Sequence, residues 1–257
     1  GKAQATQATI QLLTDTMSAP QADFEIFGKK GLAGAFEQLN AQADKLNLSL
    51  HRARNLASSL KRVAGTPMTV GFFGISQAGK SYLISALAAG CNGALEGRYG
   101  ERPVDFIKEV NPVGGGKEAT GLVTRFTRAK TTAPANYPVP LQLFSEIDLA
   151  KILANTWFND FNHELLSYQL DEARIEARLR PFEDRPINPV ANNGVSRDDV
   201  VALWDYLNGS FRKSVEKLEH GYWPRVLQLA PTLTPTERAE LFSLLWGEQA
   251  ELTETYR

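Results

Sequence analysis

The stretch Gly74-Ile75-Ser76-Gln77-Ala78-Gly79-Lys80-Ser81 constrains this chain more than any other. It fits G-x-x-x-x-G-K-[ST] at every fixed position, and each position has a mechanical reason. Glycine at 74 and 79 lets the backbone wrap with its N–H groups turned inward, because a Cβ there would obstruct the turn or the group being wrapped. Lys80 brings a point charge within reach of β- and γ-phosphates, and the Ser81 hydroxyl suits Mg²⁺. Before the loop, Met68-Thr69-Val70-Gly71-Phe72-Phe73 reads as a short, apolar, buried strand. After it, Leu83, Ile84, Leu87 and Ala88 fall on one helical face and Gly90 ends the run. Strand, glycine loop and helix together make a phosphate cradle. Its binding set is Gly74, Gln77, Ala78, Gly79, Lys80 and Ser81, with the backbone amides of 77–81 turned toward the anion.

A length of 257 residues allows one or two domains around this motif. Ahead of it, Phe36, Leu39, Ala43, Leu46, Leu50, Ala53, Ala57 and Leu60 keep a 3-4-3-4 spacing with no Pro or Gly. This is a long amphipathic helix, read first as packed along its own protein and second as an intermolecular coiled coil or a moving stalk. Lys45, Arg52, Arg54, Lys61 and Arg62 lie on its other face. Behind the motif, Val104–Ile107, Gly121–Thr127 and Val139–Phe144 read as strands, the last demoted toward an edge by Pro140. From Ser145 onward the reading is helical. Ser145 with Asp148, Ser196 with Asp199, and Thr234 with Glu237 each place a capping hydroxyl three residues before a carboxylate. Val200, Trp204, Leu207, Phe211, Val215 and Leu218 form one apolar stripe, Leu241, Leu244 and Leu245 begin another, and the Pro-rich run from Arg180 to Pro189 separates helices. The expected fold class is α/β, an incomplete P-loop NTPase-like core at 67–145 between an N-terminal helical segment, 1–66, and a mainly α-helical segment, 146–257.

Charge and composition exclude several classes. The formal net charge is −1, which argues against nucleic acid as a partner. The average conceals two unlike halves: residues 1–130 carry 16 basic and 10 acidic side chains, residues 131–257 carry 12 and 19. No 18-residue apolar run spans a bilayer, and no stretch has the Trp/Phe and Lys/Arg faces of an interfacial helix, so membrane association is not indicated. A single cysteine, Cys91, forms no internal disulfide and gives no sign of activation. His51, His163 and His220 are too far apart in sequence to suggest a metal site or a triad. The start has no apolar core and no cleavage pattern of a signal peptide, so a reducing bacterial cytoplasm is expected, with export by a route that reads other addresses left open.

Hydrolysis needs more than the cradle. Asn111-Pro112-Val113-Gly114-Gly115-Gly116-Lys117-Glu118-Ala119-Thr120-Gly121-Leu122-Val123-Thr124-Arg125 contains three consecutive glycines, a loop costly to order without a ligand. A plain hairpin explains those glycines as well. As a switch, the segment offers Thr120 or Thr124 to close over a γ-phosphate, Thr124 joining Ser81 at Mg²⁺. No Asp-x-x-Gly follows an apolar strand, and no Asn/Thr-Lys-x-Asp base-reading motif is present.

Gly74–Ser81 with Gly121-Leu122-Val123-Thr124-Arg125 resembles the dynamin-related GTPases over roughly residues 67–155. Their phosphate loop commonly ends Ala-Gly-Lys-Ser, and their first switch runs into a Gly-Ile-Val-Thr-Arg type of strand. The resemblance implies that Thr124 stands at the catalytic switch threonine; Gln77 departs from the Ser often found at its position. The phosphate-loop context and the Asn111–Phe126 stretch also resemble the amino-terminal part of the SrfC-type putative virulence factors of enteric bacteria, a likeness running through the whole chain. Members of that family are much longer, so the chain reads as an amino-terminal portion. Together these imply GTP, or ATP, with Mg²⁺ as ligands, weak or no nucleotide binding by these 257 residues alone, and negligible hydrolysis. The reading from another class is a virulence-associated interaction protein, engaging a partner or itself through its helices, with a structural or binding-only loop.

Overall fold

The computed structural model describes residues 30–74, 78–99, 101–112, 123–127, 141–163, 168–185 and 194–257. These belong to two compact units. One is Pro67–Leu143; the other joins residues 30–66 to Phe144–Arg257.

Among the described residues of the larger unit every regular element is helical. Its elements are α1 (Lys30–Ala64), α3 (Glu146–Asp160), α4 (Glu172–Glu183), α5 (Arg197–Val215), α6 (Leu218–Gly221), α7 (Trp223–Leu229), α8 (Pro235–Phe242) and α9 (Ala250–Tyr256). Short 3₁₀ turns at Ala230–Thr232 and Ser243–Trp246 link the last of them. Three starts are fixed by capping boxes. Ser145, Ser196 and Thr234 each accept from the amide three residues on, and Asp148, Asp199 and Glu237 each accept from the amide of the cap. The sequence marks all three. On α5, Val200, Trp204, Leu207 and Val215 are buried, as is Leu218 beyond it, while Phe211 sits at a kink and stacks on Phe158. Leu241, Leu244 and Leu245 are buried as well. Large rings fill the centre: Trp204 stacks on Trp223 at 5.8 Å, and the buried Tyr222 hydroxyl donates to the Leu241 carbonyl at 2.9 Å. Helix α4 continues through Pro181 to Glu183, so the expected Pro-rich separator begins later than Arg180.

Two features of this unit yield predictions. Gly247 has φ +63, and a Cβ there would run into the Trp157 indole. Gly247→Ala therefore combines a disfavoured backbone with a clash in a packed core, and is expected to cost about 1–3 kcal/mol in urea unfolding. Loss below about 0.5 kcal/mol would show that the turn relaxes freely.

Carboxylates supply the second. The Ser145 hydroxyl and amide hold Asp148 below its usual range against the opposing effect of burial, and the Thr234 amide and hydroxyl do the same for Glu237. At Glu248 burial pushes the carboxyl up, but hydrogen bonds and charge from Arg178 and Arg174 outweigh it and the net shift is down. A folded pKa below the unfolded one means that the folded state binds fewer protons in this range, so stability is present above the unfolded value and lost as pH falls through the folded one. Urea midpoints are expected to stay level from pH 7 to about pH 5 and to fall below about pH 4. A midpoint unchanged at pH 3 would contradict this.

The smaller unit overturns the expected fold class. Its described elements are α2 (Lys80–Ala88), a two-stranded antiparallel sheet of β1 (Glu96–Tyr99) and β2 (Arg102–Asp105), and one π-helical turn, Phe106–Val110. Glu96 pairs with Asp105 and Tyr99 with Arg102. Of the described residues in the whole chain, 67% are helical and 4% lie in strands, so this is not an α/β P-loop NTPase core. Met68–Phe73 forms no strand, and Met68, Val70 and Phe73 are exposed at 102%, 76% and 94%. A buried strand requires neighbours to take its N–H and C=O groups. Among the described residues the only sheet is the hairpin, and β1 and β2 pair only with each other. With no sheet beneath it, α2 buries none of its residues. The strand expected at Val104–Ile107 stops at Asp105, whose side chain accepts from the Ile107 and Lys108 amides and turns the chain helical. Residues 123–127 and 141–144 are described without strand structure, and 121–122 and 139–140 lie outside the described residues.

Candidate functional site

Helix α2 begins at Lys80, directly after Gly79. Gly79 has φ +79, a conformation that a Cβ disfavours, and nothing in space would meet that Cβ, so the glycine serves the backbone turn. No side chain caps this helix start, which leaves its first amides to other acceptors. Lys80, half-buried, folds its ammonium back to donate to the Gly74 carbonyl at 2.8 Å. The lysine near the end of the motif is thereby tied back to its first glycine. Ser81, also half-buried, receives a hydrogen bond on Oγ from Asn111 Nδ2 at 2.6 Å.

Asn111 ends the π-helical turn, its amide donating to the Phe106 carbonyl at 2.8 Å. Phe106 is buried, and Phe126 meets its ring edge-on at 4.8 Å. The hydroxyl read as a Mg²⁺ ligand is thus positioned by a residue that sequence reasoning passed over. Asn111 carries no motif of its own. The only signal for it is its place immediately before the glycine-rich loop.

The remaining expected residues are distributed unevenly. Gly74, Ala78 and Gly79 are exposed on the loop. Gln77 and Thr120 lie outside the described residues, as do Ile75 and Ser76. Thr124 is exposed within 123–127, two residues before the Phe126 ring that touches Phe106. The described contacts therefore bring together Gly74, Lys80, Ser81 and Asn111, and they do not include Thr124.

Elsewhere His51 and His163 are structurally committed. His51 is buried and its Nδ1 lies 2.6 Å from Asp198, while His163 meets the Trp157 ring edge-on at 4.6 Å. Cys91 is exposed as a free thiol. No cluster of His, Cys, Asp and Glu among the described residues is arranged to hold a metal. A cavity of about 430 Å³ opens beside Asp171, Arg174, Arg178 and Glu248. Both of its guanidinium groups are already engaged by Glu248, and Arg178 also donates to Glu240 at 2.7 Å, so it offers an incoming anion little uncompensated charge. Among the described residues no helix is long and apolar enough to cross a membrane.

A family model described as "Putative bacterial virulence factor" matches residues 30–257, all but the first 29 positions of the chain. No curated protein and no solved structure gives a significant match.

Proposed function

From the premise that this chain belongs to the "Putative bacterial virulence factor" family, we propose that its Gly74–Ser81 loop binds the phosphates of a nucleotide, GTP before ATP, together with Mg²⁺. The observation that carries this reading is the loop itself. An unbroken G-x-x-x-x-G-K-S motif runs into an uncapped helix start through a left-handed glycine, with a lysine and a serine at the positions that meet phosphate and Mg²⁺. Lys80 bonded to Gly74 holds the ring of the loop, and on binding its ammonium would turn from that carbonyl to phosphate oxygens. Asn111 would keep Ser81 Oγ oriented toward the cation. Gln77 and Ala78 contribute amides, and Thr120 or Thr124 supplies the closing hydroxyl.

The reading is binding without turnover. A GTPase of dynamin-related type sets its phosphate loop on a parallel sheet that also carries the water-orienting and base-reading residues; the described residues include no such sheet, and the 257 residues contain neither motif. Calorimetric titration with GTP and with ATP, each with Mg²⁺, tests the proposal. Saturable heat with either supports it, and preference for ATP would reassign the base. No heat with either would favour the second reading, a virulence-associated interaction protein whose loop is structural. The observation behind that second reading is the long helix α1, which leaves a regular apolar face uncovered.

A further inference from the structure

Helix α1 is anchored by its polar face. His51 and Arg54 both reach Asp198, at 2.6 and 2.5 Å. Asn55 donates to the Asp198 carbonyl at 2.8 Å, and Arg52 forks onto Asp205 while its guanidinium lies over the Trp204 ring. All of these partners belong to α5. At 100° per residue, Leu39, Leu46, Ala53 and Leu60 lie on the opposite side of the helix from His51 and Asn55. That opposite side is bare: Leu39, Leu46 and Leu60 are 49%, 50% and 58% exposed, with Leu56 and Val63 on its edge at 62% and 64%. Of the 3-4 stripe that marks this helix in the sequence, the Leu39, Leu46, Ala53 and Leu60 row is therefore uncovered, while Ala43, Leu50 and Ala57 beside it are part-buried. The expectation that the helix packs along its own protein holds, since α1 lies against α5, but it does so through His51, Asn55 and Leu48 and not through Leu39, Leu46 and Leu60.

Charge identifies what fits it. Between Glu37 and Val63 the charges flanking the stripe are Lys45 and Arg52 along one edge and Arg54 and Lys61 along the other. The two acidic residues of that span, Glu37 and Asp44, lie toward the α5 side. Among the described residues Lys45 and Lys61 form no ion pair, while Arg52 and Arg54 are paired with α5. A second copy fits poorly. An antiparallel pair would set Arg54 against Lys61, and a parallel one would offer no acidic residue to either. The face also lacks Trp and Phe between Glu37 and Val63, the residues an interfacial helix uses against lipid.

We propose that the outward face of α1 docks an amphipathic helix of a partner protein, one with leucine-type residues along its seam and Asp or Glu beside them. The seam from Leu39 to Val63 is about 37 Å long at 1.5 Å per residue, some three and a half heptads, enough to specify register. The flanking lysines select acidic over basic partners.

Two synthetic helices test this, each with leucine at the seam positions, one flanked by glutamate and the other by lysine. Their binding to the chain is followed by fluorescence anisotropy. The acidic peptide is expected to bind at least about tenfold more tightly than the basic one and to weaken with salt. It should lose at least about tenfold on the exposed double variant Leu46→Ser/Leu60→Ser, whose melting temperature should match that of the parent. Equal binding of both peptides, no binding of either, or no loss in the variant overturns the proposal. So does a dimer of the chain alone in sedimentation that the variant abolishes, or leucine-dependent binding to phosphatidylglycerol vesicles.

Discussion

Arg238→Ala is expected to cost the helical unit about 3–5 kcal/mol, a large share of the stability of any domain this size. Arg238 on α8 is fully buried, and its Nε and Nη2 each donate to a Glu146 oxygen at 2.7 Å. Its remaining nitrogen faces the Ala230 and Leu233 carbonyls at the 3₁₀ turn. The Tyr256 hydroxyl on α9 donates to the same Glu146 carboxylate at 3.1 Å and is itself held protonated to high pH by burial. One carboxylate, on the first residue of α3, thus takes Arg238 from α8 and Tyr256 from α9. Removing the guanidinium leaves the Glu146 carboxylate, 23% exposed, without its cationic partner and takes a donor from the Leu233 carbonyl. The double variant Glu146→Leu/Arg238→Met removes the charge together with its partner and should lose less than Arg238→Ala. Urea unfolding of both variants checks the order. A double variant no better than the single one would mean that shape, not uncompensated charge, sets the cost.

What was readable from the sequence divides along the range of the forces involved. The three capping boxes and the buried stripe of α5 are local: hydroxyl and carboxylate sit three residues apart, and helical spacing alone groups Val200, Trp204 and Leu207. The strand reading of Met68–Phe73 failed because a strand is defined by partners elsewhere in the chain, and an apolar run does not reveal whether they exist. Periodicity showed that α1 is amphipathic but not which face is buried. That choice depends on Asp198 and Asp205, some 150 positions downstream, pairing with His51, Arg52 and Arg54. In the Gly74–Ser81 loop the motif singles out Gly74, Lys80 and Ser81 directly. It could not give Asn111, which reaches Ser81 only through the π-helical turn that follows β2.

Lys80→Ala is the second change of large expected effect. The ammonium is the only cation of the motif, and a hydrogen bond between charged groups is worth about 1.5–3 kcal/mol, so its loss should weaken nucleotide binding roughly 10- to 100-fold. The same change also removes the tie to the Gly74 carbonyl and loosens the loop before any ligand arrives. Both consequences act in one direction. Because α2 buries none of its residues, the substitution should leave the melting of the helical unit unchanged, which separates a binding defect from unfolding.

The most direct test of the phosphate-loop account is calorimetric titration of GTP with Mg²⁺ into the chain and into Lys80→Ala, with released phosphate assayed in parallel. The account predicts weak, saturable binding by the chain, roughly 10- to 100-fold weaker binding by the variant, and no turnover by either. No binding by the chain, equal binding by both, or robust turnover that Lys80→Ala abolishes would contradict it.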